Sequence, residues 1–309
     1  MAIVELKGRG PGDAESRGKV GGVLWMMLAI AVFTIMQLFI KTLATEMPVA
    51  VLVLWRMIFG LGFAFPWLTR QGLGEMRTRH PYLQFWRGAL GMGAMACFAY
   101  SLAYLIFSDA VALAFTSPLW SIVLSVLFLG EAVRIRRWSA AALGFVGVLA
   151  IVKPHDAVDP IMLVALLGAL LGSAVMIVLR KLAVVESGAK ISFYSHLVGG
   201  LLVALPAVLS WQTPTSLQFV LLLLIGLCSS LGQLCYSRAF ALGEVTFVAP
   251  FEFLRLPMAA LLGLLLFAEL PDSLALAGMA LIGGACVYIA RREAELRWRV
   301  AESEQITPD

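Results

Sequence analysis

Glu252 and Arg255 stand three positions apart in a run that carries no other charge from Val245 to Ala268. On a helix, residues three apart share a face, so this carboxylate and guanidinium can reach each other. Two roles follow from that spacing. The pair can neutralise itself and fix helix packing, or it can line a cavity and meet the amino or carboxylate group of a solute. Other polar and aromatic residues in apolar runs could line the same cavity: Phe33 and Gln37, Tyr100 and Tyr104, Thr116, Ser117 and Trp120 around Pro118, and Gln233 with Tyr236. Aromatic faces with a few polar groups suit a small amphipathic solute. Tyr194 and His196 are weaker candidates, and His196 reads either as a proton carrier or as a packed side chain. Arg56 and Arg87 are read as structural. Arg56 would snorkel or bind backbone carbonyls, and Arg87 would anchor its helix at the membrane interface.

Other chemistries find no residues. Cys97, Cys228, Cys235 and Cys286 fall in apolar runs, and there is no CxxC and no histidine cluster among His80, His155 and His196. Neither a metal site nor a disulfide framework is expected. The patterns GxxxxGK[ST], HExxH and GxSxG are absent, so no ATP hydrolysis, no catalytic residues and no cofactor are expected. Of the carboxylates inside apolar runs, Glu252 is the main one and Asp109 lies nearer the outer surface, which favours a uniporter or facilitator over proton coupling.

The elements that hold these residues are membrane helices. Hydrophobic residues make up 61% and charged residues 14% of the 309, against about 25% charge in soluble domains. Mean hydropathy is +0.92. The charge-free runs 21–40, 88–108 and 110–130 are each long enough to cross a ~30 Å hydrocarbon core as helix. None alternates with period two, which disfavours a β-barrel. The sequence predicts ten spans, near 21–43, 48–68, 82–106, 109–129, 138–153, 159–181, 191–210, 216–239, 246–268 and 273–290. The polar ends, 1–20 and 291–309, are read as tails, and the first apolar run as a retained helix and not a cleaved leader.

Charge orients this array. Ten spans leave both ends on one side. That side collects Lys7 to Lys19, Arg70 to Arg79, Arg134 to Arg137, Arg180 to Lys190, Arg238 and Arg291 to Arg299. The other side receives Lys41 and Lys153. The positive-inside rule then places both termini in the cytoplasm. The net charge of +4 reflects this orientation and does not imply nucleic acid.

The stretch Cys97–Glu131 has a faint twin at Cys235–Glu269. Cys97, Ala103, Phe115, Leu124, Leu127 and Glu131 meet identical residues at a constant offset, without a gap. Five spans per half is an odd number, so the halves 21–153 and 159–290 run in opposite directions. An all-α integral membrane protein of two inverted five-helix repeats is the architecture of a transporter. Pro118 and Pro257, one residue out of register in the paired helices, are expected to bend them at mid-span. Gly168 with Gly172, and Ala89 with Gly93, permit close helix contact.

These residues resemble the drug/metabolite transporter superfamily in its EamA-type branch. The resemblance rests on Pro48 to Arg56, on Ala112 to Pro118 running to Leu129-Gly-Glu131, on Arg134 to Trp138, and on Gly144 to Gly147. In the second copy it rests on Ala249-Pro250 through Ala268-Glu269 and on Gly283-Gly284, with Ala268 where the motif has Gly. The general pattern is close to the YddG-like exporters. The resemblance implies a bacterial inner-membrane carrier whose central cavity opens alternately to either side, with the bilayer and a small-molecule solute as its partners. Relatives export amino acids or import vitamins and nucleosides, and amino-acid export is the expected role. Glu131 and Glu269 would cap or pair at helix ends. A monomer is expected, with a homodimer possible. A non-transporting scaffold or sensor is the reading of another class, but no loop is long enough to be a soluble domain.

Overall fold

The computed structural model describes residues 11–69, 77–129, 135–153, 159–183, 185–242 and 249–306. These residues are helical apart from short turns. They form α1 (Pro11–Glu46), α2 (Val49–Thr69), α3 (Pro81–Tyr104), α4 (Phe107–Ala114), α5 (Ser117–Leu129), α6 (Ile135–Val152) and α7 (Pro160–Ala183). Then follow α8 (Gly188–Leu209), α9 (Ser216–Leu242), a 3-10 helix at Ala249–Leu254, α10 (Arg255–Phe267) and α11 (Ser273–Ile306). Five stretches, in α1, α4–α5, α7, α8 and α9, are long and apolar enough to cross a membrane, and α2, α6 and α11 contribute shorter apolar helices.

The described residues trace ten passages, and two of these are broken. The fourth expected span is α4 followed by α5. The ninth is the 3-10 helix followed by α10. The expectation that Pro118 and Pro257 bend continuous helices is corrected here: each lies in the first turn of a new segment. A first-turn N–H has no intrahelical partner, so proline loses nothing there. Pro118 cannot bond the Ala114 carbonyl, and the Ser117 hydroxyl takes that acceptor instead at 3.0 Å. Thr116 Oγ1 donates to Leu113 O at 2.6 Å. The break is therefore satisfied by its own side chains. The helices reach into both expected tails: α1 begins at Pro11 and α11 continues to Ile306.

Contacts between the halves show the inversion. Gly60 meets His196 and Met57 meets Gly200, so α2 and α8 run antiparallel. Phe107 lies against Phe267 and Phe115 against Phe253, so the two broken passages are antiparallel as well. Gly144 approaches Ala285 while Gly147 and Gly278 approach each other, which gives the same relation for α6 and α11. Each of these pairs joins a passage to its twin in the other repeat. The remaining long pairs exchange across the halves: α1 lies along α9, and α3 along α7.

Hydrocarbon gives helices no hydrophobic reason to associate, so close packing carries the assembly. A Cβ on Gly147 would stand 2.7 Å from Gly278 O, and one on Gly232 would stand 2.8 Å from the Phe33 ring. The Gly168 and Gly93 pairs both serve the α3–α7 contact, against Cys97 and Leu171. The core between the repeats contains Ile40, Leu43, Leu52, Leu102, Phe107, Leu113 and Leu119, all fully buried.

Candidate solute-binding site

Arg255 is the first residue of α10, so the break in the ninth passage sets its position. Its guanidinium lies over two rings, 5.2 Å from the centroid of Phe33 on α1 and 5.5 Å from that of Phe115 in the other break. Phe115 in turn sits 5.6 Å from Phe253. Glu252 holds one oxygen 3.9 Å from Arg255 Nη2, beyond hydrogen-bond length. The other oxygen accepts from the Tyr236 hydroxyl at 3.1 Å. Arg255 Nε is buried without a hydrogen-bond partner. The result is a guanidinium held by ring faces and a loose carboxylate, with donor capacity in reserve.

Of the sequence candidates, Phe33, Tyr236, Glu252 and Arg255 come together. Gln37 follows Phe33 by one turn, is 7% exposed, and has an unpartnered Oε1. The side chain of Gln233 lies outside the described residues, as does Glu131. Ser117 bonds Ala169 O at 3.1 Å as well as Ala114 O, which ties the fourth passage to α7. Thr116 is fully buried, and its Oγ1 donates to Leu113 O at 2.6 Å. Trp120 packs edge-on against Phe145 at 5.0 Å and keeps an unpartnered Nε1. Tyr100 pairs with Tyr104 at 4.8 Å, both partly exposed, and the described contacts do not bring it to the Arg255 group.

Residues missed in the sequence complete the picture. Phe115 and Phe253 were visible only as matched positions of the repeat. Cys286 lies behind Phe115, with Sγ 3.5 Å from its carbonyl. At one end of the bundle, buried Lys41 meets Glu269 at 2.7 Å and Leu105 O at 2.9 Å. Glu269 also accepts from Phe107 N at 2.7 Å. This joins α1, the α3–α4 turn and the end of α10. Buried Asp109 lies at the same end, beside Ser108. Lys153 pairs with Asp272, and its hydrogen bond, with one from Ala275 N, holds the Asp272 carboxyl below its ordinary range. Among the described residues no group of His, Cys, Asp and Glu could hold a metal.

A guanidinium with an unpartnered Nε between two ring faces has the chemistry to bind an anionic group. The EamA-like transporter family matches residues 20–153 and again 159–291. A riboflavin transporter of Rhizobium johnstonii is 33% identical over 90% of this chain and 94% of its own. An S-adenosylmethionine uptake transporter of Rickettsia bellii is 29% identical over 88% and 94%. The pseudopaline exporter CntI of Pseudomonas aeruginosa is 32% identical over 87% and 96%. A solved crystal structure superposes with a TM-score of 0.61 at 19% identity, covering 89% of this chain and 97% of that one, which establishes likeness of fold. Two matches to one family, end to end, over a multi-pass helical bundle make this chain a member of the EamA-like transporter family, a carrier of small molecules and not an enzyme.

Proposed function

We propose that this chain moves a solute bearing both an amino and a carboxylate group, of the amino-acid class, outward across the inner membrane. In this reading the halves 21–153 and 159–290 rock about the two breaks, and the ends 1–20 and 291–309 lie in the cytoplasm. The observation that carries it is Arg255. A guanidinium with a buried unpartnered Nε, set between Phe33 and Phe115, is a receptor for a carboxylate. Glu252, 3.9 Å away, supplies the complementary charge for an amino group. The Lys41–Glu269 contact then seals the outer end of the pathway. Transport runs down the solute gradient.

A second reading is uptake of a vitamin-like or nucleoside-like ring compound. The two rings around Arg255 favour it, as does the relative named a riboflavin transporter. Relatives are named for uptake and for export, so direction is a property to be measured on this chain. Counterflow into proteoliposomes discriminates the readings. Vesicles loaded with unlabelled amino acids should accumulate labelled amino acid, and Arg255→Gln should raise KM about tenfold or more, the value of a hydrogen bond to a charged group. Full activity of both Glu252→Gln and Arg255→Gln would remove the site. Exchange of riboflavin but not of amino acids would select the second reading.

A further inference from the structure

A second cluster of buried polar groups lies where α2, α3 and α8 meet, away from Arg255. Gln84, Gly88 and Met92 form one stripe of α3, at i, i+4 and i+8. Gly88 abuts Val198 and the Ser195 carbonyl, and Met92 abuts Gly199, so the stripe faces α8. The third side is α2, where the His196 ring occupies the space over Gly60, one turn from Arg56. Arg56 and Arg87 are both within electrostatic reach of that ring. His196 Nδ1 is engaged with Ser192 O at 2.7 Å.

The polar atoms here are unsatisfied. Arg56 Nε, Arg87 Nε, and both Oε1 and Nε2 of Gln84 are buried without a hydrogen-bond partner, and Gln84 is only 1% exposed. Arg87 does not snorkel toward the start of α3, as an interfacial anchor would. Its Nη1 lies 2.8 Å from where a Cβ on Gly91 would stand, one turn further from Pro81. Among the described residues no carboxylate forms a salt bridge with either arginine; Glu186, in the turn before α8, is taken by Lys190 at 2.8 Å and by Thr78 at 2.7 Å. Two half-buried arginines within electrostatic reach of one ring, with no carboxylate salt-bridged to either among the described residues, are costly in a membrane, where such groups mark a partner.

We propose that the α2–α3–α8 junction is an oxyanion site, in which Arg56 and Arg87 neutralise a phosphate or carboxylate and Gln84 completes its hydrogen bonds. Guanidinium forks match the geometry of both anions. Gln84 and Arg87 lie in the first two turns of a helix that starts at Pro81, about 5 and 9 Å along its axis. Gln84 is thus within reach of a lipid headgroup phosphate at the end where α3 begins, an anion dissolved at that face reaches it by the same route, and Arg87 turns deeper, toward Gly91. The site shares no residue with the Arg255 group, so its test does not depend on the transport reading.

The test is thermal unfolding of the purified full chain in neutral detergent at fixed ionic strength. One arm adds phosphatidylglycerol against phosphatidylcholine; the other adds inorganic phosphate against chloride. A rise in Tm in the lipid arm alone assigns a headgroup, and a rise in the phosphate arm assigns a soluble anion. In either case the rise should be lost in Arg56→Gln/Arg87→Gln and reduced in Gln84→Leu, which keeps both charges. Two outcomes overturn the proposal: no shift of the unsubstituted chain in either arm, or shifts that are undiminished in the double variant. The first needs no variant to fold.

Discussion

Phe115 and Phe253 occupy equivalent positions in the two repeats, and their rings meet 5.6 Å apart where both passages are broken. The two-fold relation of the halves thus passes close to this contact. It is not symmetric in charge, because Arg255 replaces Ser117 and Glu252 replaces Ala114 at the matched positions. A shared scaffold therefore presents a one-sided site.

Phe115 carries the guanidinium and Phe253 does not. Phe115→Ala should raise KM for the transported solute by roughly threefold to thirtyfold, the range of a desolvated cation–π contact. Phe253→Ala should affect stability more than KM. Transport kinetics and unfolding on the same preparations separate the two effects.

Lys41 is 5% exposed and depends on Glu269 for its counter-charge. Removing one partner leaves the other uncompensated, at a cost of about 3 kcal/mol or more. Glu269→Gln and Lys41→Met should each lower Tm markedly. The exchange Lys41→Glu/Glu269→Lys should recover part of the loss.

Ala268 ends α10 with φ 52°, turning its N–H back to Leu264 O at 3.1 Å. A side chain is strained in this left-handed region, and glycine removes the strain. Ala268→Gly should stabilise the protein by about 1 kcal/mol, read as a higher Tm with transport unchanged. Gly147→Ala should do the opposite. Its Cβ would meet a backbone oxygen at 2.7 Å, and α6 and α11 would have to separate at a cost of about 1–3 kcal/mol.

Glu186 ties the turn before α3 to the turn before α8. Burial alone would raise its carboxyl, but hydrogen bonds from Lys190, Thr78 and the Arg79 backbone outweigh that and hold it below its ordinary value of 4.5. A depressed carboxyl contributes stability above its unfolded pKa and loses it as pH falls through the folded one. Tm should therefore fall more steeply below about pH 4.5 in the unsubstituted chain than in Glu186→Gln, which starts lower and lacks this component.

Much of the fold was legible because membrane helices announce themselves by length and charge. The spans, their proline-led starts at Pro81 and Pro160, and the repeat ending at Glu131 and Glu269 all follow from chain-local pattern. The breaks were less legible. Pro118 signals a lost hydrogen bond, but whether a helix bends or restarts depends on whether Thr116 and Ser117 can take over the freed carbonyls. Contacts across the chain left no local trace. Lys41 and Glu269 are each a single charge at a helix end, and only the inverted packing brings them together. Arg87 looked like an anchor because sequence gives its depth but not the direction in which the side chain turns. Of the site, Arg255, Glu252, Tyr236 and Phe33 were readable as polar or aromatic groups in apolar runs. Phe115, the second ring over Arg255, was hidden among many other phenylalanines.

The central claim is that the two broken passages cross at Phe115 and Phe253 and must move there for solute to pass. In a chain whose four native cysteines are replaced, Phe115→Cys with Phe253→Cys should cross-link through a short bifunctional thiol reagent whose bridge a reductant can cleave. The cross-link should arrest counterflow, and cleaving it should restore exchange. Failure to cross-link, or full exchange by the cross-linked protein, would contradict the account.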